Sequence, residues 1–177
     1  MNLAEVNGLE LAQFAARFGG VFEHSPWVAE RAWQRRPFAN VEGLFQAMAA
    51  EVHSAALSEQ LALIRAHPEL AGREAEAGAL TADSTGEQGR LGLLELDRDE
   101  FMRIAALNRR YRERFGFPCI VALALHDARA SVLAEMERRV ANDAGAEMIE
   151  ALQQIGHIAR ARLRRMLEHG KTDDPRP

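Results

Sequence analysis

The sequence predicts an all-α fold, a single compact domain of about eight helices, from three observations. Apolar residues recur at helical spacing along most of the chain, helix caps and glycine stops punctuate those stretches, and no internal repeat or low-complexity linker divides them. At 177 residues, with 47% hydrophobic and 27% charged side chains, the chain fits one globular domain with a sizeable core.

Leu9, Leu11, Phe14, Ala15 and Phe18 follow helical spacing, and Gly19-Gly20 offers a left-handed stop for this first helix. Ser25-Pro26 reads as an N-cap followed by proline at the first helical position, opening a helix from Trp27 to about Gln34 that Pro37 ends. Asn40 caps a third helix to about Ala55 and Ser58 a fourth to Ala66, with Leu44, Phe45, Met48, Val52, Leu61 and Ile64 facing inward. His67-Pro68 closes the fourth. A residue before proline is pushed out of the α region, so His67 is expected in a stiff, extended backbone at a helix exit.

Leu70 to Thr85 reads as a short helix and a loop. Ser84-Thr85-Gly86-Glu87 has capping-box form, which predicts a fifth helix opening there. Asp97 caps the next, whose stripe of Phe101, Ile104, Ala105, Asn108, Tyr111 and Phe115 ends at Gly116. Phe117 to Leu125 is a nearly unbroken apolar run in which periodicity does not separate strand from helix, and its alanine and leucine content favours helix. After Ser131 a helix turns Val132, Met136 and Val140 inward. Beyond the Asn142-Asp143 turn the last helix runs to about His169 before Gly170, leaving 1–170 as the domain and 171–177 as a polar tail.

The net charge of −4 argues against a protein built to grip nucleic acid. The arginine clusters 109–114 and 160–165 alternate with acidic and apolar residues and read as solvated helix faces. No stretch approaches the ~18 apolar residues of a membrane span, and Met1 to Gly8 lacks a signal-peptide pattern, so a cytoplasmic location is expected. One cysteine, Cys119, rules out an internal disulfide and a multi-thiolate zinc site, and no His-Glu-x-x-His motif offers a metal.

Three residues invite chemistry. His67 is the side chain type best suited to trade protons near neutrality, although a helix-terminal histidine also commonly serves the last carbonyls. Glu87 has the capping box as its structural alternative, while Gly86, Gly89 and Gly92 suggest close backbone approach by a ligand or a packed helix. On the last helix Met148, Leu152, Ile155, Ala159, Leu163 and Met166 form an apolar stripe that contains Arg162, whereas Arg160 and Arg164 fall on the opposite face. Arg162 must snorkel, pair, or await an anionic ligand.

Taken together, Glu23-His24-Ser25-Pro26-Trp27-Val28-Ala29, His67-Pro68-Glu69-Leu70-Ala71-Gly72, Ser84-Thr85-Gly86-Glu87-Gln88, Phe115-Gly116-Phe117-Pro118 and the closing Ile158, Ala159, Arg162, Leu163 form an ordered series. From Leu9 to Leu167 the chain resembles the 2-oxo-4-hydroxy-4-carboxy-5-ureidoimidazoline (OHCU) decarboxylases of purine degradation. That resemblance implies a usually homodimeric, cofactor-free enzyme that yields (S)-allantoin, with His67 as proton donor beside Glu87 and Arg162. It maps the substrate pocket onto Pro68, Ser84, Thr85, Gly86, Glu87 and Gln88, and onto the backbone of Cys119, Ile120, Val121, Ala122 and Leu123. The chain departs from the family pattern at Cys119, where a bulky apolar residue is usual, at Glu69, where aspartate is common, and at His126-Asp127. An HD-type metal phosphohydrolase centred on His126-Asp127 is the competing enzyme class, and a non-catalytic helical binding module is the other alternative.

Overall fold

Every regular element of the computed structural model, which describes residues 2–168, is a helix. The first, α1 (Leu3–Gly8), is not anticipated by the sequence pattern and is closed by a capping box. Asn2 Oδ1 accepts from the Glu5 N–H at 3.0 Å, and Glu5 Oε2 accepts from the Asn2 N–H at 2.8 Å. Next, α2 (Leu11–Phe18) ends at Gly19 in a right-handed conformation with φ −63°, which corrects the expected left-handed stop. Glycine is required there for space, because a Cβ would stand 2.5 Å from the Ala15 carbonyl oxygen and 3.1 Å from Pro26 Cβ. The left-handed residue falls instead at Glu23, φ 36°.

Pro26 itself occupies the cap position of α3 (Trp27–Ala32), one residue later than expected, and the helix continues as a 3-10 turn over Trp33–Arg35. In α4 (Val41–Ser54) the cap is Asn40, whose Oδ1 accepts from the Gly43 N–H at 2.7 Å. Then α5 (Leu57–Arg65) runs up to the His67-Pro68 exit.

The remaining helices are α6 (Arg73–Glu76), α7 (Ala82–Arg90), α8 (Arg98–Phe115), α9 (Arg129–Arg139) and α10 (Ala144–Glu168). Asp97 and Gly116 cap the two ends of α8 as expected, Gly116 at φ 74°. The capping box at Ser84 is not formed. Thr81 is the cap of α7, its hydroxyl accepting from the Ser84 N–H at 3.3 Å, so Glu87 sits mid-helix rather than in the first turn where its spacing placed it. The apolar run from Phe117 is not a helix either, since only Leu123–Leu125 make a 3-10 turn. Pro118 lacks an N–H and disfavours helical backbone at Phe117, which outweighs the helical leaning of alanine and leucine. The expected stop at Gly170 and the 171–177 tail lie outside the described residues.

The described residues pack as two units, 2–63 with 159–168, and 64–158. The first buries Val6, Phe14, Phe18, Val28, Leu44, Met48 and Leu163, with the Phe14 and Phe18 ring centroids 4.8 Å apart. The second buries Ile104, Leu107, Tyr111, Val132, Met136 and Ile155. Among the described residues no helix is long and apolar enough to cross a membrane.

Candidate active site

His67 is buried just past the C-terminus of α5, its N–H bonded to the Ile64 carbonyl at 3.2 Å. The turn that follows is held from outside. Ala71 is left-handed at φ 46°, and Gly72 fits only as glycine because a Cβ would come within 2.6 Å of Glu69 Cβ. Gln88 of α7 accepts from the Ala71 N–H through Oε1 at 2.9 Å and donates to the Glu69 carbonyl through Nε2 at 3.4 Å. Asn108 of α8 donates to the Leu70 carbonyl at 2.9 Å, and Arg112 pairs with Glu69 at 2.9 Å. Burial raises the Glu69 carboxyl above the usual carboxylate range against the pull of Arg112. A buried histidine is thus followed by a turn whose backbone is held by two neighbouring helices.

Helix periodicity sorts the predicted block Ser84 to Gln88. Ser84 and Gln88 are buried and Glu87 is half-buried, the i, i+3, i+4 pattern of one face, while Thr85 and Gly86 are exposed. Thr85 lies on a cavity of about 300 Å³ lined also by Ala71, Leu93, Leu94 and Phe101. Gly86 faces open space, and Gly92 needs its glycine for φ 66°. Gln88 therefore brings the His67-Pro68 turn and the Ser84–Glu87–Gln88 face together. Arg90, at the end of the same helix, donates to the carbonyls of Leu123 and His126, the latter at 2.9 Å. It ties α7 to the third predicted segment, Cys119, Ile120, Val121, Ala122 and Leu123, all of which are buried. Burial pushes the Cys119 thiol up to about 12, which keeps it a protonated, unreactive thiol at neutral pH.

Arg162 belongs to the other packing unit and is 2% exposed. It is paired: its Nη1 donates to Glu23 Oε2 at 2.6 Å and to the Gly20 carbonyl at 3.4 Å. Arg160 is less solvated than its helix face suggested, resting over the Phe45 ring at 4.3 Å and pairing with Glu42 at 2.9 Å.

Sequence reasoning missed Glu23 as the partner of Arg162, and it missed a second buried ion pair, Arg139 with Glu147, Nε to Oε1 at 2.9 Å. The signal was present for both arginines. Arg139 lies seven residues beyond Val132, on the same inward stripe of α9, so the wheel that flagged Arg162 also flags it.

Among the described residues no three His, Cys, Asp or Glu side chains gather as a metal would need. The HD-type alternative requires such a gathering at His126-Asp127, whereas His126 Nδ1 lies 2.9 Å from Ser131 Oγ and Asp127 is exposed.

The sequence model of the OHCU decarboxylases matches residues 7–164. The chain is 38% identical to the mouse 2-oxo-4-hydroxy-4-carboxy-5-ureidoimidazoline decarboxylase, covering 94% of this chain and 93% of that protein. It is 41% identical to the Haloferax volcanii decarboxylase of the same name, covering 92% and 94%. A crystal structure of (S)-allantoin synthase superposes with a TM-score of 0.75 at 28% identity over 94% of this chain, which spans about half, 54%, of that longer chain. On these matches, which run through every element that carries His67, Glu87 and Arg162, the chain belongs to the OHCU decarboxylase family.

Proposed function

We propose that this enzyme decarboxylates 2-oxo-4-hydroxy-4-carboxy-5-ureidoimidazoline to (S)-allantoin in urate breakdown, with residues 1–170 acting as one functional domain. The observation that carries the reading is the family match over residues 7–164, supported by decarboxylases at 38% and 41% identity that align nearly end to end. The proposal includes a cytoplasmic homodimer that uses neither metal nor organic cofactor.

Loss of carbon dioxide leaves an electron pair on the carbon that carried the carboxylate. The ring can delocalise that pair, so the protein's task is to hold the substrate, accept one proton and return another to a single face. Glu87 orients the hydroxyl or ureido groups and takes the hydroxyl proton. Arg162 grips an anionic carboxylate or ring oxygen, for which a guanidinium is the best-matched donor. As the hydroxyl becomes the ring carbonyl the pair moves to the adjacent, ureido-bearing carbon, which His67 protonates, a role suited to an imidazole whose backbone is stiffened by Pro68 and the bound turn behind it. Ser84, Gln88 and the Cys119–Leu123 backbone supply the remaining hydrogen bonds.

The substrate also decays without a catalyst, so the assay follows the optical activity of allantoin formed from freshly oxidised urate. A positioned acid or base contributes roughly 10²- to 10⁴-fold, so His67→Asn is expected to lower turnover by about that factor with an unchanged circular dichroism spectrum. Full activity in that variant removes His67 from the mechanism, and racemic product from the parent removes the reading.

A further inference from the structure

The run from Phe117 to Ala122 raises a question of backbone accounting. Cys119, Ile120, Val121 and Ala122 are at most 3% exposed, yet they belong to no helix or strand that would pair their peptide groups. Buried peptide groups nearly always find partners, and here side chains provide two of them, while the Ala122 carbonyl accepts from the Leu125 N–H at 2.9 Å. Gln154 Oε1 accepts from the Ala122 N–H at 2.8 Å, and Arg139 Nη1 donates to the Ile120 carbonyl.

Arg139 is itself immobilised. It and Glu147 are fully buried, Nε donating to Glu147 Oε1 at 2.9 Å and Nη2 to the Tyr111 hydroxyl at 3.2 Å. The Tyr111 hydroxyl donates to Glu147 Oε1, and Asn142 Nδ2 donates to Glu147 Oε2 at 2.7 Å. The planar fork of a guanidinium so anchored leaves Nη1 one direction in which to point. Desolvation consumes most of the attraction within a buried ion pair, so apolar side chains of equal volume would serve stability as well. What the pair adds is a direction.

We infer that Arg139 is a positioning residue for the decarboxylation. Locked by Glu147 and Tyr111, it holds the Ile120 carbonyl and so sets the single conformation in which Cys119 to Leu123 offer their backbone to the substrate. The choice of substrate rests on the reading above; the geometry does not.

Two variants test it. Arg139→Lys keeps the charge but replaces a fork with a point donor, which cannot serve Glu147 and Ile120 together. Arg139→Met combined with Glu147→Leu removes both charges and leaves an apolar core. Both are expected to fold, with KM raised about tenfold or more and kcat changed less, because His67 and Glu87 are untouched. Amide hydrogens of residues 119–123 are expected to exchange with deuterium faster in both. A double variant that melts like the parent with the parent KM overturns the inference, whether or not exchange has accelerated. Where one variant fails to fold, the other decides, and failure of both assigns Arg139 to folding rather than positioning. A parent inactive on freshly oxidised urate overturns the decarboxylase reading alone. Exchange then still tests the geometry, and unchanged protection of 119–123 overturns it.

Discussion

Replacing Glu23 by glutamine tests the contact that holds Arg162. The two side chains are 1% and 2% exposed and lie 2.6 Å apart, so removing one charge strands the other away from water. Breaking a buried pair in this way costs about 3–5 kcal/mol, and since glutamine keeps the shape and an acceptor oxygen, the loss is expected near ~3 kcal/mol. Against this stands the strain at Glu23, whose left-handed φ of 36° costs a non-glycine residue roughly 1–2 kcal/mol. That strain is common to Glu23 and to a glutamine in its place, so it leaves the expected loss unchanged. For a chain of this length each kcal/mol moves Tm by roughly 2–4 °C, so Glu23→Gln is expected to lower Tm by about 6–12 °C and to shift the urea midpoint at constant m. Combining Glu23→Leu with Arg162→Met leaves no stranded charge and is expected to recover most of the stability without recovering activity. A loss below ~1 kcal/mol for Glu23→Gln would refute the premise that the pair is formed and desolvated in solution.

Two further outcomes follow from the second unit. Thr81→Ala removes the N-cap of α7 and is expected to cost about 1 kcal/mol by urea unfolding, because the cap lies at Thr81 and not at Ser84; an unchanged midpoint would reject that assignment. Glu69 carries a carboxyl raised chiefly by burial, so the folded chain holds its proton more tightly than the unfolded one. The stability linked to it is fully present below the unfolded carboxylate pKa and is lost as pH rises through the higher folded value. Glu69→Gln removes that dependence, so the Tm of the variant minus that of the parent is expected to increase from pH 4 to pH 7, and a flat or falling difference would contradict the direction of the shift.

Local physics made much of this fold legible. Asn40, Asp97 and Gly116 are read at their helix ends because caps and left-handed stops depend on a few adjacent atoms. The same locality explains the errors. Thr81 and Ser84 both have cap chemistry, and spacing to Glu87 favoured the wrong one. Gly19 looks like a left-handed stop but serves a close approach of Pro26 that is seven residues away in sequence. Phe117 to Ala122 has helical composition, but its backbone partners, Arg139 and Gln154, arrive from distant helices.

By itself the sequence determined the all-helical class, the buried stripe around Arg162, and the residues His67, Glu87 and Gln88 as candidates, since each depends on periodicity, side-chain chemistry or an ordered series of short motifs. Only the tertiary structure decided the partners: Gln88 on the Ala71 turn, Glu23 on Arg162, and Arg139 with Glu147 beneath Ile120. The physical reason is that a buried polar group must be satisfied by whatever the fold brings within about 3 Å, and separations of 17, 139 and 19 residues carry no local signal of which group that will be.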